Sequence, residues 1–103
     1  MPAVKVQVTK VPNGLLIKWT FSNENLGWQP FVERYELYAF VCNRGTDVPP
    51  VSQWGKVGEI KPLALPMAVT LTNFASGQCY AFSVRVHYVG GGNRFSEPCT
   101  IEL

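Results

Sequence analysis

Large apolar residues recur two apart along most of this chain, in short runs separated by turn-forming residues. Val4, Val6 and Val8 alternate with Lys5, Gln7 and Thr9, the pattern of a strand with one buried face. Pro12-Asn13-Gly14 marks a turn, because Pro fixes φ while Asn and Gly tolerate positive φ. Leu15, Ile17 and Trp19 then make the inward row of a second strand. Ser22 to Pro30 reads as a polar loop that carries Trp28. In the third strand Tyr35, Leu37, Ala39 and Val41 share one face, and Glu36, Tyr38, Phe40 and Cys42 share the other.

Asn43 to Ser52, with Gly45 and Pro49-Pro50, is a loop that no central strand can continue. A short strand is predicted from Gln53 to Ile60. Pro62 and Pro66 bracket an extended segment, and Met67, Val69 and Leu71 form the inward row of a strand ending at Phe74. A turn carrying Gly77 leads to Tyr80, Phe82, Val84 and Val86, again two apart, in a strand running to about Tyr88. Gly90-Gly91-Gly92-Asn93 reads as a flexible hairpin loop, and Phe95 to Leu103 closes the sheet. No helical period runs long enough to compete. Seven strands with turn signals roughly every ten residues predict an all-β fold, a seven-stranded antiparallel β-sandwich, with residues 1–103 as one domain. Tyr80, at the first inward position of its strand, can lay its ring in the core and return its hydroxyl to nearby backbone, the tyrosine corner of such sandwiches.

The 103 residues suffice to bury a core without disulfide staples. The net charge of +2 comes from 9 basic and 7 acidic residues. The basic residues are spread singly, not gathered in a phosphate-tracking stripe, so no nucleic-acid partner is expected. Cys42, Cys79 and Cys99 are an odd, widely spaced set, no signal peptide or membrane-spanning run is seen, and no Asn heads a glycosylation acceptor. These points favour a reducing, intracellular home and free thiols. Cys42 and Cys79 can still face each other, because the third strand ends where the sixth begins.

Catalytic chemistry is not expected. His87 is the only histidine, and no nucleophile elbow, carboxylate pair or phosphate-cradling loop accompanies it. Gly90-Gly91-Gly92 lies between two predicted strands and offers no helix N-terminus. Three cysteines and one histidine match a zinc headcount but lack close Cys-x-x-Cys pairs. No cofactor, metal or small-molecule substrate is therefore expected.

Trp19 sits where an antibody domain places a core cysteine, with Phe82 at the partner position. With the Tyr-x-Leu of Tyr35, the Phe74…Gly77…Tyr80 corner and Ser96-Glu97-Pro98, the whole chain resembles a fibronectin type III domain. A narrower likeness runs from Ser52 to Gly77, as SQW-x-K-x-GE-x-K-x-L-x-LPMA-x-TL-x-x-F-x-SG, with Pro30-x-Val32 and Tyr35-x-Leu37-Tyr38-Ala39 before it. This stretch is similar to the C-terminal domain of the activating-transcription-factor-interacting proteins, the MCAF and Windei family of chromatin cofactors. The resemblance implies a nuclear protein-protein interaction module of a repressor cofactor associated with a SET-domain histone methyltransferase. Its implied partners are other chromatin or transcriptional repressor proteins, with the methyltransferase held through other parts of the parent chain.

Trp19, Tyr35, Phe74, Tyr80 and Phe82 are expected in the core. Tyr38 and Phe40 should face outward, sharing that face with Arg85 and His87 and bordered by Trp54. Two readings of this surface stay open. The rings can simply shield one another and the stems of charged side chains. Alternatively they form a docking surface, since aromatics beside Arg and His suit interface centres, and the family resemblance favours this. Trp28 is either a lid over the sandwich end or a contact residue. Arg44-Gly45-Thr46 lacks the acid of an integrin signal. An extracellular adhesion or receptor module is the alternative function. A spacer or sugar-binding appendage of a larger enzyme, using Trp28 and Trp54, is a third.

Overall fold

A computed structural model describes residues 1–42, 49–74 and 77–103 of the chain. Eight strands lie among the described residues: β1 (Lys5–Val11), β2 (Gly14–Thr20), β3 (Val32–Cys42), β4 (Gly55–Ile60), β5 (Met67–Leu71), β6 (Cys79–Tyr88), β7 (Asn93–Phe95) and β8 (Cys99–Glu102). They form two antiparallel sheets. One has the order β1-β2-β5, and the other β4-β3-β6-β7 with β8 also paired to β6. The β-sandwich expected from the alternation is present, with one strand more than the predicted seven.

The extra strand comes from a break in the last one. Arg85 pairs with Phe95, but Phe82 pairs with Cys99, so the final strand carries one residue more than β6 between these pairs. That is the count of a β-bulge. Ser96 organises it: its N–H donates to Val84 O at 2.8 Å, and its Oγ accepts from Val84 N–H at 2.9 Å. Ser83 Oγ donates to Ser96 O at 2.8 Å. Pro98, which has no N–H to offer a ladder, then separates β7 from β8.

Other boundaries also move. The expected polar loop after β2 contains a 3-10 segment, Asn23–Phe31, with no buried residue. A short 3-10 turn, Val51–Gln53, delays β4 to Gly55, and β5 ends at Leu71 rather than at Phe74. Asn93 opens β7 instead of closing the hairpin loop. Arg44-Gly45-Thr46 lies outside the described residues, as does the part of the tyrosine-corner turn at residues 75–76.

The core lies between the sheets where the alternation puts it. Leu15, Ile17 and Trp19 from β2 meet Tyr35 and Leu37 from β3 and Tyr80, Phe82, Val84 and Val86 from β6, all buried. Trp19 meets Tyr35 edge to face at 5.5 Å, which joins the two sheets through a favoured aromatic geometry. Tyr80 stacks on Phe82 at 6.1 Å, as side chains two apart on one strand can.

Candidate functional site: the outer face of the five-stranded sheet

With Tyr35, Leu37 and Ala39 turned to the core, Glu36, Tyr38 and Phe40 line the outside of the larger sheet. The alternation does not hold at the ends of β3, where Val32 is buried in the core and Val41, expected inward, is exposed. Register then decides the neighbours of the outward residues. Glu36 lies opposite Arg85, Tyr38 opposite Ser83, Phe40 opposite Ala81, and Cys42 opposite Cys79. On the other side Tyr38 faces Lys56 of β4.

Glu36 is the hub of this surface. Although on the outer face, it is only 5% exposed, because long side chains close over it. Lys56 Nζ reaches Oε2 at 2.9 Å, His87 Nε2 lies 2.6 Å from Oε1, and Tyr38 donates its hydroxyl to Oε1 at 3.1 Å. Arg85 and Arg34 stand within 3.8 Å. Burial alone would raise the Glu36 pKa, but the hydrogen bonds from Lys56, His87 and Tyr38 reverse this and hold the carboxyl at about 2. Glu59 shares Lys56 at 2.5 Å, so the cations are largely compensated from within the sheet.

Aromatic rings surround the hub. Tyr38 meets Phe95 edge to face at 5.2 Å, and the Arg85 guanidinium sits 4.9 Å from the Phe95 ring centre. Arg85 Nε donates to Asn93 Oδ1 at 2.9 Å. At the far end Phe40 stacks on Trp54 at 6.0 Å. The face is therefore a row of half-buried rings in which Tyr38 is bonded to the Glu36 carboxylate, Phe95 packs on Tyr38 and Arg85, and Phe40 is backed by Trp54.

Four of the six residues singled out in the sequence, Tyr38, Phe40, Arg85 and His87, lie together here. Trp54 joins them through Phe40 but does not form an open border. It is 5% exposed and donates Nε1–H to Pro49 O at 2.9 Å, so it supports Phe40 from beneath. Trp28 packs elsewhere, edge to face with Tyr88 at 5.5 Å and with Phe31 at 6.2 Å, while staying 38% exposed. Glu36, Lys56 and Phe95 belong to the site and were not singled out. The signal for Glu36 was its outward parity beside Tyr38, opposite a strand offering Arg85 and His87. Among the described residues no group of three or more His, Cys, Asp or Glu side chains is placed to hold a metal ion.

This sandwich, with its tryptophan and tyrosines closing the core, is of the fibronectin type III class. Residues 1–100 match the fibronectin-III type domain family, and the chain belongs to it. It is 39% identical over 98 residues to Activating transcription factor 7-interacting protein 1 of Homo sapiens, covering 95% of this chain and 7% of that protein. Identity to Activating transcription factor 7-interacting protein 2 of Homo sapiens is 36% over 101 residues, covering 98% of this chain and 14% of that one. The chain thus spans a small part of the length of these relatives. Among solved structures it is similar to pectate lyase PelI of Erwinia chrysanthemi, with a TM-score of 0.71 at 12% identity, covering 96% of this chain and 28% of that one. At that identity the likeness is one of fold alone.

Proposed function

We infer that the domain is a non-catalytic docking module of a nuclear transcriptional-repressor cofactor, holding short apolar segments of other chromatin proteins. The observation that carries this reading is the outer face: Tyr38 and Phe95 presented beside Arg85, Tyr38 and His87 bonded to the buried Glu36, and Phe40 farther along the same face. Rigid aromatics next to arginine are the composition of interface centres, and their prior ordering lowers the entropy lost on binding. The nuclear and transcriptional setting is supported by the similarity to proteins named for interacting with an activating transcription factor. Association with a SET-domain histone methyltransferase would run through the rest of the parent chain. The open edge of β4, which ends its sheet, offers backbone groups for a partner strand beside the same face.

Affinity capture from nuclear extract tests this reading. The native domain is expected to enrich repressor proteins, and a Tyr38→Ala, Phe40→Ala double variant to lose them while keeping the native circular dichroism spectrum. Equal recovery by a folded double variant would exclude this face.

A further inference from the structure

We propose that Cys42 and Cys79 form a reversible dithiol site, open to oxidation by low-molecular-weight disulfides. Cys42 ends β3, Cys79 begins β6, and the register sets them directly opposite. Directly opposed antiparallel residues have Cα atoms about 4.5 to 5.5 Å apart, inside the span of about 4.4 to 6.8 Å that a disulfide accepts. Both follow the outward parity of Phe40 and Ala81, and their sulfurs stand 2.7 Å apart as free thiols. A bond between them therefore needs side-chain rotation and no movement of the strands. Its formation is independent of the docking reading above.

The two thiols differ in access. Cys42 is buried and Cys79 half-buried, and burial, with Cys79 beside it, pushes the Cys42 thiol up to about 11. Cys79 is thus the entry point. Its thiolate attacks one sulfur of glutathione disulfide, giving a mixed disulfide and one glutathione, which takes up the proton Cys79 has lost. Cys42 then gives up its proton and attacks the Cys79 sulfur, expelling the second glutathione. Two S–H bonds are replaced by one S–S bond in the chain, and the oxidant is reduced to two thiols. The raised Cys42 pKa slows the second step, and the close approach of the sulfurs offsets this. Cys99 lies opposite Phe82, away from this pair in the ladder, and is left free.

The experiment equilibrates the reduced chain in glutathione buffers of rising oxidised fraction, traps free thiols with N-ethylmaleimide, and weighs the products. Alkylated cysteines are expected to fall from three to one, with loss of two hydrogens and a proteolytic fragment pair joining Cys42 to Cys79. Excess reductant should restore all three thiols. Cys42→Ser is expected to stop at a glutathione adduct on Cys79. Full alkylation in the oxidised buffer, a bridge through Cys99, or a bridge seen only in the urea-unfolded chain would each overturn the proposal.

Discussion

Glu36 Oε1 lies 2.6 Å from His87 Nε2, joining residues 51 positions apart across the β3–β6 ladder. With Lys56 on the second oxygen, one carboxylate ties together β3, β4 and β6, and β3 carries Tyr38 and Phe40 of the aromatic row. The folded carboxyl is held at about 2, below its ordinary 4.5. A lowered folded pKa adds stability that is complete above the unfolded value and is lost as pH falls through the folded one. Stability is therefore expected to fall by about 3 kcal/mol through the acid range below about pH 5. Glu36→Gln should cost up to about 3 kcal/mol at neutral pH, by removing the anion that Lys56, His87 and Tyr38 hold, and should flatten the acid limb. Urea denaturation of both proteins at several pH values checks this, and an equally steep acid limb in the variant would contradict it.

Tyr35 offers a contrast. Its hydroxyl and the Trp19 indole N–H are buried with no hydrogen-bond partner among the described residues. Burial, and then Tyr88, push the Tyr35 hydroxyl up to about 12. An unsatisfied buried hydroxyl destabilises, so removing it relieves a cost while the ring keeps its edge-to-face contact with Trp19. Tyr35→Phe is expected to leave stability unchanged or raise it by up to about 1 kcal/mol. A loss larger than this, read from the thermal midpoint, would show that the hydroxyl has a partner.

Gly14 opens β2 at a φ of +154°, and a Cβ placed there would lie 2.2 Å from Leu71 O, a backbone atom of β5. Neither partner can rotate away. Gly14→Ala is expected to cost about 2 kcal/mol or more. Gly58→Ala on β4, where a Cβ meets nothing within 4 Å, should cost far less. Comparable losses at the two sites in urea melts would contradict this packing of β2 on β5.

Alternation alone carried much of this structure. The period-two rows put Trp19, Tyr35, Tyr80 and Phe82 inward and Tyr38 and Phe40 outward, because a strand gives its side chains only two directions. What it did not carry depends on non-local register. Glu36 becomes a buried hub only once β3 slides to set it opposite Arg85 with Lys56 and His87 in reach, and no local pattern states that offset. Trp54 is expected to border the outer face, yet the Pro49 carbonyl and the Phe40 ring draw it under the surface. The split of the last strand rests on the Ser96 hydroxyl finding the Val84 N–H. The 3-10 segment at Asn23–Phe31 has no apolar period, since Gly27 and Pro30 interrupt it and none of its residues is buried.

Site-directed photo-crosslinking addresses the docking face most directly. Benzoylphenylalanine in place of Phe95 puts a reactive ring beside Tyr38 and Arg85, and in place of Thr70 puts one on the exposed side of the other sheet. In nuclear extract, irradiation is expected to attach a discrete partner at position 95 and none at position 70. Attachment at position 70 alone, with both proteins folded, would contradict the account and move the docking surface to the β1-β2-β5 sheet.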